Sequence, residues 1–206
     1  MTTHEHSGHK LAASRIEELH RKYAPNEKVY QLVYGHCQVV NEIGQWCAAN
    51  IGDSEQVDID LLANAALLHD IGTYILFDAE GNVANEKLYP LHAILGAKIV
   101  ADEGLDPRVA EIIETHVLLG LSKQEILARP WSLPARDYIP QTIEGELLCY
   151  ADRFHSKKPI FNAYEAFLKR LMEDLPTQAE RFEEWSNRFG VPNVEALARK
   201  YRQPVR

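Results

Sequence analysis

The sequence predicts an all-α protein built as a single domain. Three observations lead to this class: apolar residues recur at three- and four-residue steps, strand-type alternation is nearly absent, and the intervening segments carry clear turn signals. A chain of 206 residues is long enough for one hydrophobic core, and its 46% hydrophobic and 25% charged residues are typical of globular proteins. We therefore expect helices packed around one core.

The periodic segments place nine helices along the chain. They are predicted at residues 11–23, 27–50, 57–72, 88–103, 106–119, 142–156, 160–174, 176–189 and 193–201. Turn-type sequences separate them, including NIGDSEQ before the third helix, FDAEGN after it and EGLDPR between the fourth and fifth. Prolines precede Thr142, which is a suitable residue to begin the sixth helix. The final helices are amphipathic, so we expect them to pack on the core or on a second subunit as a homodimer.

The first ten residues differ in character from the rest of the chain. Residues 1–10 carry three histidines and no apolar periodicity, so we expect a flexible tail there and the folded domain at residues 11–206. No apolar stretch approaches the roughly 18–20 residues that a membrane span needs, and no apolar signal core is evident. These features predict a soluble, cytoplasmic protein without a membrane partner.

Charge and cysteine content exclude further classes of protein. A formal net charge of −8 argues against a broad surface for large nucleic acids, although a local basic pocket for a small phosphate compound is compatible with it. The three cysteines are odd in number and lack the paired spacing of a zinc knuckle. They do not predict a disulfide framework.

Six histidine and aspartate residues continue the apolar faces of five predicted helices. They are His36, His69, Asp70, His92, His116 and Asp152. A single histidine on an apolar face is more often a hydrogen-bonded core residue than a ligand. Six such groups without partners, however, would cost about 1–3 kcal/mol each, and more where a charge is buried.

A metal centre would remove that cost. Neutral imidazoles and ionised carboxylates are preferred ligands of divalent transition metals, and six are too many for one catalytic ion that must also hold water and substrate. The set therefore predicts two divalent ions, drawn from iron, manganese, zinc, cobalt or nickel, that share a bridging carboxylate.

The same residues resemble a known family. HDIG stands intact at residues 69–72, and the ordered set of histidines and aspartates is similar to the longer, dinuclear pattern of the HD superfamily of metal-dependent phosphohydrolases, HDIG subgroup. The resemblance covers about residues 28–157 and implies an HD-domain helical bundle with additional C-terminal helices. Several HD enzymes have a lysine directly after HDIG, whereas this chain has Thr73 and Tyr74, so no role of that lysine carries over.

The resemblance also implies a division of the ligands. One ion would take His36, His69, Asp70 and Asp152, and the second would take His92 and His116. Asp70 would bridge the two ions and act as the catalytic residue, with a metal-bound hydroxide cleaving a phosphate ester or anhydride of a nucleotide or small phosphorylated metabolite.

Contacts to the substrate are predicted from nearby basic residues. The candidates are Lys98, Arg136, Arg153, Lys157 and Lys158, with His155 near the rim of the pocket. Most lysines and arginines are simply solvated, so each of these is more often a surface residue than a ligand contact. His20 is expected at the surface.

Two other functions fit the same ligands. Some HD proteins with a similar ligand pattern are mixed-valence di-iron oxygenases that act on a small organic substrate. A nucleotide-binding regulatory module is the other alternative, although a binder does not require both metal positions. The ligand set alone does not separate a hydrolase from an oxygenase.

Overall fold

The computed structural model describes residues 10–52 and 55–206, and within them it confirms the all-α class. Ten α-helices lie in these residues: α1 Ala13–Tyr23, α2 Glu27–Ile51, α3 Ile59–Leu68, α4 His92–Asp102, α5 Pro107–Glu114, α6 Lys123–Leu127, α7 Ile143–Asp152, α8 Tyr164–Asp174, α9 Pro176–Phe189 and α10 Val194–Tyr201. Two 3-10 helices, Ile71–Leu76 and Glu86–Leu91, precede α4. Residues 1–9 of the predicted tail lie outside the described residues.

Polar caps begin three of the helices that position the histidines and aspartates, α2, α3 and α7. Asn26 accepts a hydrogen bond from the Val29 amide at the start of α2, and Asp58 accepts one from Leu61 at the start of α3. Thr142 caps α7 by accepting from the Gly145 amide at 3.2 Å, which confirms the predicted start of that helix. Such caps satisfy amides that the first helical turn leaves without partners.

Several predicted helices end early. The helix predicted at 57–72 stops at Leu68, that at 106–119 stops at Glu114, and that at 142–156 stops at Asp152. The helix predicted at 88–103 begins with a 3-10 helix in place of α-helical turns. Apolar residues continue at helical spacing past each of these points. They still pack on the core, but the backbone that carries them is no longer α-helical.

A short hairpin replaces the predicted helical residues after α7. Strand β1, His155–Ser156, pairs antiparallel with β2, Ile160–Phe161, and was missed at sequence level because each strand has only two residues. Pro159 lies in the connecting turn, where it prevents a continuous helix. The five-residue helix α6 was also missed.

The core forms around α2, which packs against α3, α7 and α9. The final helices return to this core, one of the two outcomes predicted for them. Tyr150 of α7 contacts the rings of Phe182 and Phe189 of α9 at centroid distances of 5.3 and 5.6 Å. All three side chains are fully buried, so α9 is an integral part of the hydrophobic core.

Two glycines allow a close backbone approach beside α4. A Cβ atom added to Gly72 would lie 2.1 Å from the His92 carbonyl oxygen and 2.3 Å from the Gly96 amide nitrogen. A Cβ added to Gly96 would lie 3.4 Å from the Gly72 nitrogen. The first 3-10 helix therefore sits directly against the first turns of α4.

Residues 59–76 need a correction to the sequence analysis. By length and composition alone they could cross a membrane, the one such segment in the part of the chain that the structure describes, yet 72% of the segment is buried inside the fold. It also changes from α3 to a 3-10 helix at its middle. These residues form the core of the domain.

His20 is another correction, because it is fully buried and not at the surface. Its Nδ1 lies 2.8 Å from the Tyr74 hydroxyl and its Nε2 lies 2.7 Å from the Leu67 carbonyl oxygen. Burial lowers the pKa of His20 to about 4, so the side chain is neutral at pH 7. It links α1 to α3 and to the 3-10 helix that follows.

Candidate metal centre

The six predicted ligands meet at one buried place. They are His36 in the middle of α2, His69 and Asp70 directly after α3, His92 at the start of α4, His116 two residues after α5, and Asp152 at the end of α7. None is more than 9% exposed. Five of the six lie at or beyond a helix end and not on the continuous helical faces predicted for them. Helix ends from different directions can approach one another more closely than helix sides can.

The two carboxylate oxygens of Asp70 face different imidazoles. Oδ2 lies 3.3 Å from His36 Nε2 and 3.4 Å from His69 Nε2. Oδ1 lies 3.3 Å from His92 Nε2 and 3.7 Å from His116 Nε2. Asp70 therefore presents one oxygen to each pair of histidines, which is the arrangement expected of a ligand that bridges two ions.

Asp152 lies with the first of these pairs. Its Oδ1 is 2.9 Å from His36 Nε2 and 3.6 Å from His69 Nε2. We call His36, His69 and Asp152, with Oδ2 of Asp70, the first ligand group. The second ligand group is His92 and His116 with Oδ1 of Asp70.

Three of the four histidines are oriented by backbone carbonyls. The Nδ1 atoms of His69, His92 and His116 lie 2.8, 2.6 and 2.6 Å from the carbonyl oxygens of Ala66, Tyr89 and Ile113, in each case three residues earlier. A carbonyl can only accept, so Nδ1 carries the proton in each ring. Each Nε2 then faces the centre and has a lone pair wherever the ring is neutral.

These lone pairs call for a cation. His92 Nε2 lies 2.9 Å from His116 Nε2, and both atoms are acceptors when Nδ1 holds the proton. Asp70 Oδ1, 3.3 and 3.7 Å from these two nitrogens, is buried and has no hydrogen-bond partner among the described residues. Acceptors crowded together in this way repel one another, whereas a divalent ion would bind all of them. The residues present therefore fit a metal site on the second group, and the first group has the same composition with one more carboxylate.

The charges of the centre point the same way. Burial lowers the pKa of His36 and of His92 to about 3, so both imidazoles are neutral ligands at pH 7. Burial opposes protonation of His69 as well, but the adjacent Asp70 carboxylate raises the pKa of His69 to about 10. Burial would raise the pKa of Asp70, yet the Lys157 ammonium and the His69 ring hold it well below its usual range. His69 therefore holds a proton on Nε2 at pH 7 beside the ionised Asp70, and a metal ion would have to displace that proton to bind His69.

A basic cavity of about 730 Å³ opens beside the first ligand group. His36 and Asp152 form part of its wall, and its other charged residues include Arg153, Lys157, Lys158, Arg206 and Glu86. Lys157 Nζ lies 2.5 Å from Asp70 Oδ2, and Arg153 donates to Asp152 Oδ2. The cavity wall therefore has four basic side chains and two acidic ones, Asp152 and Glu86, a surplus of positive charge suited to an anion.

Of the three remaining predicted substrate contacts, two lie elsewhere and the third, His155, already has partners. Lys98 pairs with Asp102 on the exposed face of α4 at 2.7 Å. Arg136 pairs with Glu114 and lines a separate cavity of about 380 Å³ that contains none of the six predicted ligands. His155 lines the basic cavity, but its Nδ1 contacts His36 and its Nε2 contacts Gln203, so both ring nitrogens already have partners.

Comparison with known proteins shows the family of this chain. A family model described as the HD domain matches residues 33–157, which include all six predicted ligands. The chain belongs to the HD domain family. An uncharacterised protein of Methanocaldococcus jannaschii is 32% identical to it over 149 residues, which cover 70% of this chain and 80% of the relative.

A second relative is a longer protein. The tRNA (cytidine(56)-2'-O)-methyltransferase of Picrophilus torridus is 32% identical over 148 residues, which cover 72% of this HD-domain chain but 37% of the methyltransferase. Among solved structures, the HD domain of the Listeria monocytogenes phosphodiesterase PgpH is similar in fold, with a TM-score of 0.54 and 13% identity over 90% of this chain and 98% of that one. The same domain in complex with cyclic-di-AMP gives a TM-score of 0.51 at 15% identity, over 91% of this chain and 96% of that one.

Two residues that line this HD domain's cavity, Arg206 and Tyr89, could not be predicted from the sequence. Arg206 lies 170 positions after His36 by residue number, yet both line the cavity. The Arg206 amide donates to the Phe161 carbonyl oxygen, and the Ala163 amide donates to the Arg206 carbonyl oxygen, so backbone pairing with the hairpin holds the segment there. Tyr89, directly before Pro90 in the second 3-10 helix, also lines the cavity. No local motif marks either residue.

Proposed function

We propose that this HD domain is a metal-dependent phosphohydrolase that acts on a nucleotide or another small phosphorylated metabolite. One observation carries the proposal: the two oxygens of Asp70 face two separate groups of imidazole lone pairs, directly beside a basic cavity. Two divalent ions bound there would activate water and neutralise the charge that develops on a phosphoryl group.

The chain's own residues hold the reacting groups. Asp70 is the proposed bridging and catalytic residue, since it lies between the two ligand groups and is ionised. Lys157 contacts Asp70 Oδ2 and also lines the cavity, so its ammonium can turn to a phosphate oxygen without leaving the site. Arg153, held beside Asp152, offers a second cation for the same group. A phosphate group bound by both Lys157 and Arg153 would be oriented toward the metal centre.

The cavity wall favours a nucleotide among small phosphates. Phe77, Tyr89 and Phe167 line it together with the basic residues, and Lys157 Nζ lies 5.1 Å from the centre of the Tyr89 ring. Aromatic rings stack on nucleobases, while the cations bind phosphate. A volume of about 730 Å³ is in the range of small-molecule sites. The complex of the PgpH HD domain with cyclic-di-AMP supports a nucleotide ligand for this fold.

The test separates a hydrolase from an oxygenase. Metal-free protein is reloaded with manganese or zinc without oxygen and screened against nucleotides and phosphomonoesters for phosphate release. A hydrolase needs no redox chemistry, so we expect turnover of at least one compound, and we expect loss of turnover in His36→Ala and Asp152→Ala. Activity that requires iron and consumes oxygen would reject the hydrolase and favour the di-iron oxygenase. Binding of a nucleotide without any turnover would favour a regulatory module.

A pair of lysine variants tests the cavity as the substrate site. Lys157→Met removes the cation that lies between Asp70 and the cavity, so KM for the best compound should rise at least about tenfold, as expected for loss of a charged contact. Lys98→Met removes a cation of equal length from the exposed face of α4 and should leave both kcat and KM unchanged. Equal kinetics in the two variants would place the substrate elsewhere.

A further inference from the structure

His36 differs from the other three histidines of the centre in how its ring is held. The others donate Nδ1–H to a carbonyl three residues earlier, and each of them lies at or just beyond a helix end. His36 lies in the middle of α2, where backbone carbonyls accept from amides four residues later. Its Nδ1 therefore needs an acceptor from another part of the chain.

His155 supplies that acceptor. The two Nδ1 atoms lie 2.9 Å apart, and the rings are stacked with centroids 5.1 Å apart and planes at 18°. On its other side, His155 Nε2 lies 2.7 Å from Gln203 Oε1. Two neutral rings in contact through Nδ1 can share one proton there, so one ring must donate and the other accept.

We propose that Gln203 and His155 are positioning residues that fix His36 as a metal ligand; the inference rests on the metal centre of the proposed function. When His36 Nε2 binds an ion, that nitrogen has no proton, and Nδ1–H donates to His155 Nδ1. The remaining proton of His155 is then on Nε2, where the Gln203 side-chain carbonyl accepts it. The relay runs from Gln203 through His155 to His36 and orients each ring for its role.

The fold places Gln203 for this role. The chain leaves α10 through Arg202, which adopts a left-handed conformation with φ of 56°, and so turns back toward the hairpin. The Phe161 amide donates to the Pro204 carbonyl oxygen at 2.9 Å, and the Gln203 amide donates to the Ala198 carbonyl oxygen at 2.9 Å. Gln203 is thus held from both sides beside β1, which carries His155.

The experiment measures ion affinity directly, by competition with a chelator, in three variants of the full chain. Gln203→Leu and His155→Phe remove the acceptor, and each should weaken one of the two bound equivalents of zinc by about 10–100-fold, the usual effect of losing a partner behind a ligand. Gln203→Glu keeps an acceptor and should retain the wild-type affinity. Gln38→Leu, on the exposed face of α2, is the matched control and should change nothing.

Nitrogen NMR of histidine-labelled, zinc-loaded protein adds a signature that a packing role would not give. The diagnostic ring is His155: we expect its proton on Nε2 in the wild type and in Gln203→Glu, and no such preference in Gln203→Leu. Wild-type affinity in Gln203→Leu, or equal weakening in Gln203→Glu, would overturn the relay, as would absence of zinc binding in the wild type. Two tight equivalents of zinc without hydrolysis of any phosphate compound would reject the proposed reaction and leave the relay intact.

Discussion

Replacing Gly72 by Ala should damage the domain more than a single methyl group normally does. The added Cβ would lie 2.1 Å from the His92 carbonyl oxygen, while ordinary contacts begin at 3.4 Å, so the 3-10 helix and α4 would have to separate by about 1.3 Å. Both neighbours are backbone atoms, which no rotamer change can move. Overpacking of this kind costs about 1–3 kcal/mol or more, and we expect at least roughly 3 kcal/mol here.

The assay is urea unfolding of metal-free protein, followed by counting of bound ions after reloading. Gly35→Ala is the matched control: it lies inside α2 with nothing within 4 Å of the added Cβ, so it should stabilise the protein by about 0.5–1 kcal/mol through helix propensity. Because α4 carries His92, Gly72→Ala should also lower the bound ions from two toward one. A Gly72→Ala protein with wild-type stability and two ions would refute the reasoning.

Three further outcomes are expected. Asp70→Ala removes the ligand that faces both groups, so metal analysis should find both ions depleted and turnover abolished; full metal content with normal rates would remove Asp70 from the mechanism. His92→Gln and His116→Gln should each bind about one ion in place of two with nearly unchanged helical circular dichroism, since the first group is intact; two ions in either variant would contradict the second group. The pKa of His20 is lowered by burial from 6.5 to about 4, so the folded state loses stability as pH falls from about 6.5 toward 4, and His20→Gln should flatten that loss by roughly 3 kcal/mol in urea titrations. An unchanged pH slope would show that His20 is not the linked group.

The six candidate ligands could be predicted from the sequence because each imposes a cost that apolar surroundings would not tolerate. The elements that present them could not be predicted as well. Apolar spacing runs through residues 57–72 without interruption, yet α3 ends at Leu68 and a 3-10 helix follows, with Gly72 close against α4. The periodicity of apolar residues predicts which side chains face the core. It does not predict where an α-helix ends and a 3-10 helix begins.

The residues that were missed or misplaced are those whose partners the sequence does not reveal. His20 was expected at the surface, but its two partners, Leu67 and Tyr74, lie 47 and 54 residues away. Lys98 and Arg136 were candidates for substrate contact by charge alone, and each proved to have a nearby carboxylate, as most surface cations do. Lys157, in contrast, contacts Asp70 and lines the basic cavity, and only the tertiary structure shows this difference.

The spread of the candidate ligands along the chain has a consequence for folding. His36 and Asp152 are 116 positions apart by residue number, and ligands of successive segments are separated by at least 22 positions, the gap from Asp70 to His92. Ions held there would act as cross-links that join α2, α4, α7 and the ends of α3 and α5. Closing so long a loop costs several kcal/mol in chain entropy, by analogy with about 4–5 kcal/mol for a disulfide across roughly 100 residues. The ions would therefore bind late, once the helices have assembled, and would slow unfolding more than they speed folding.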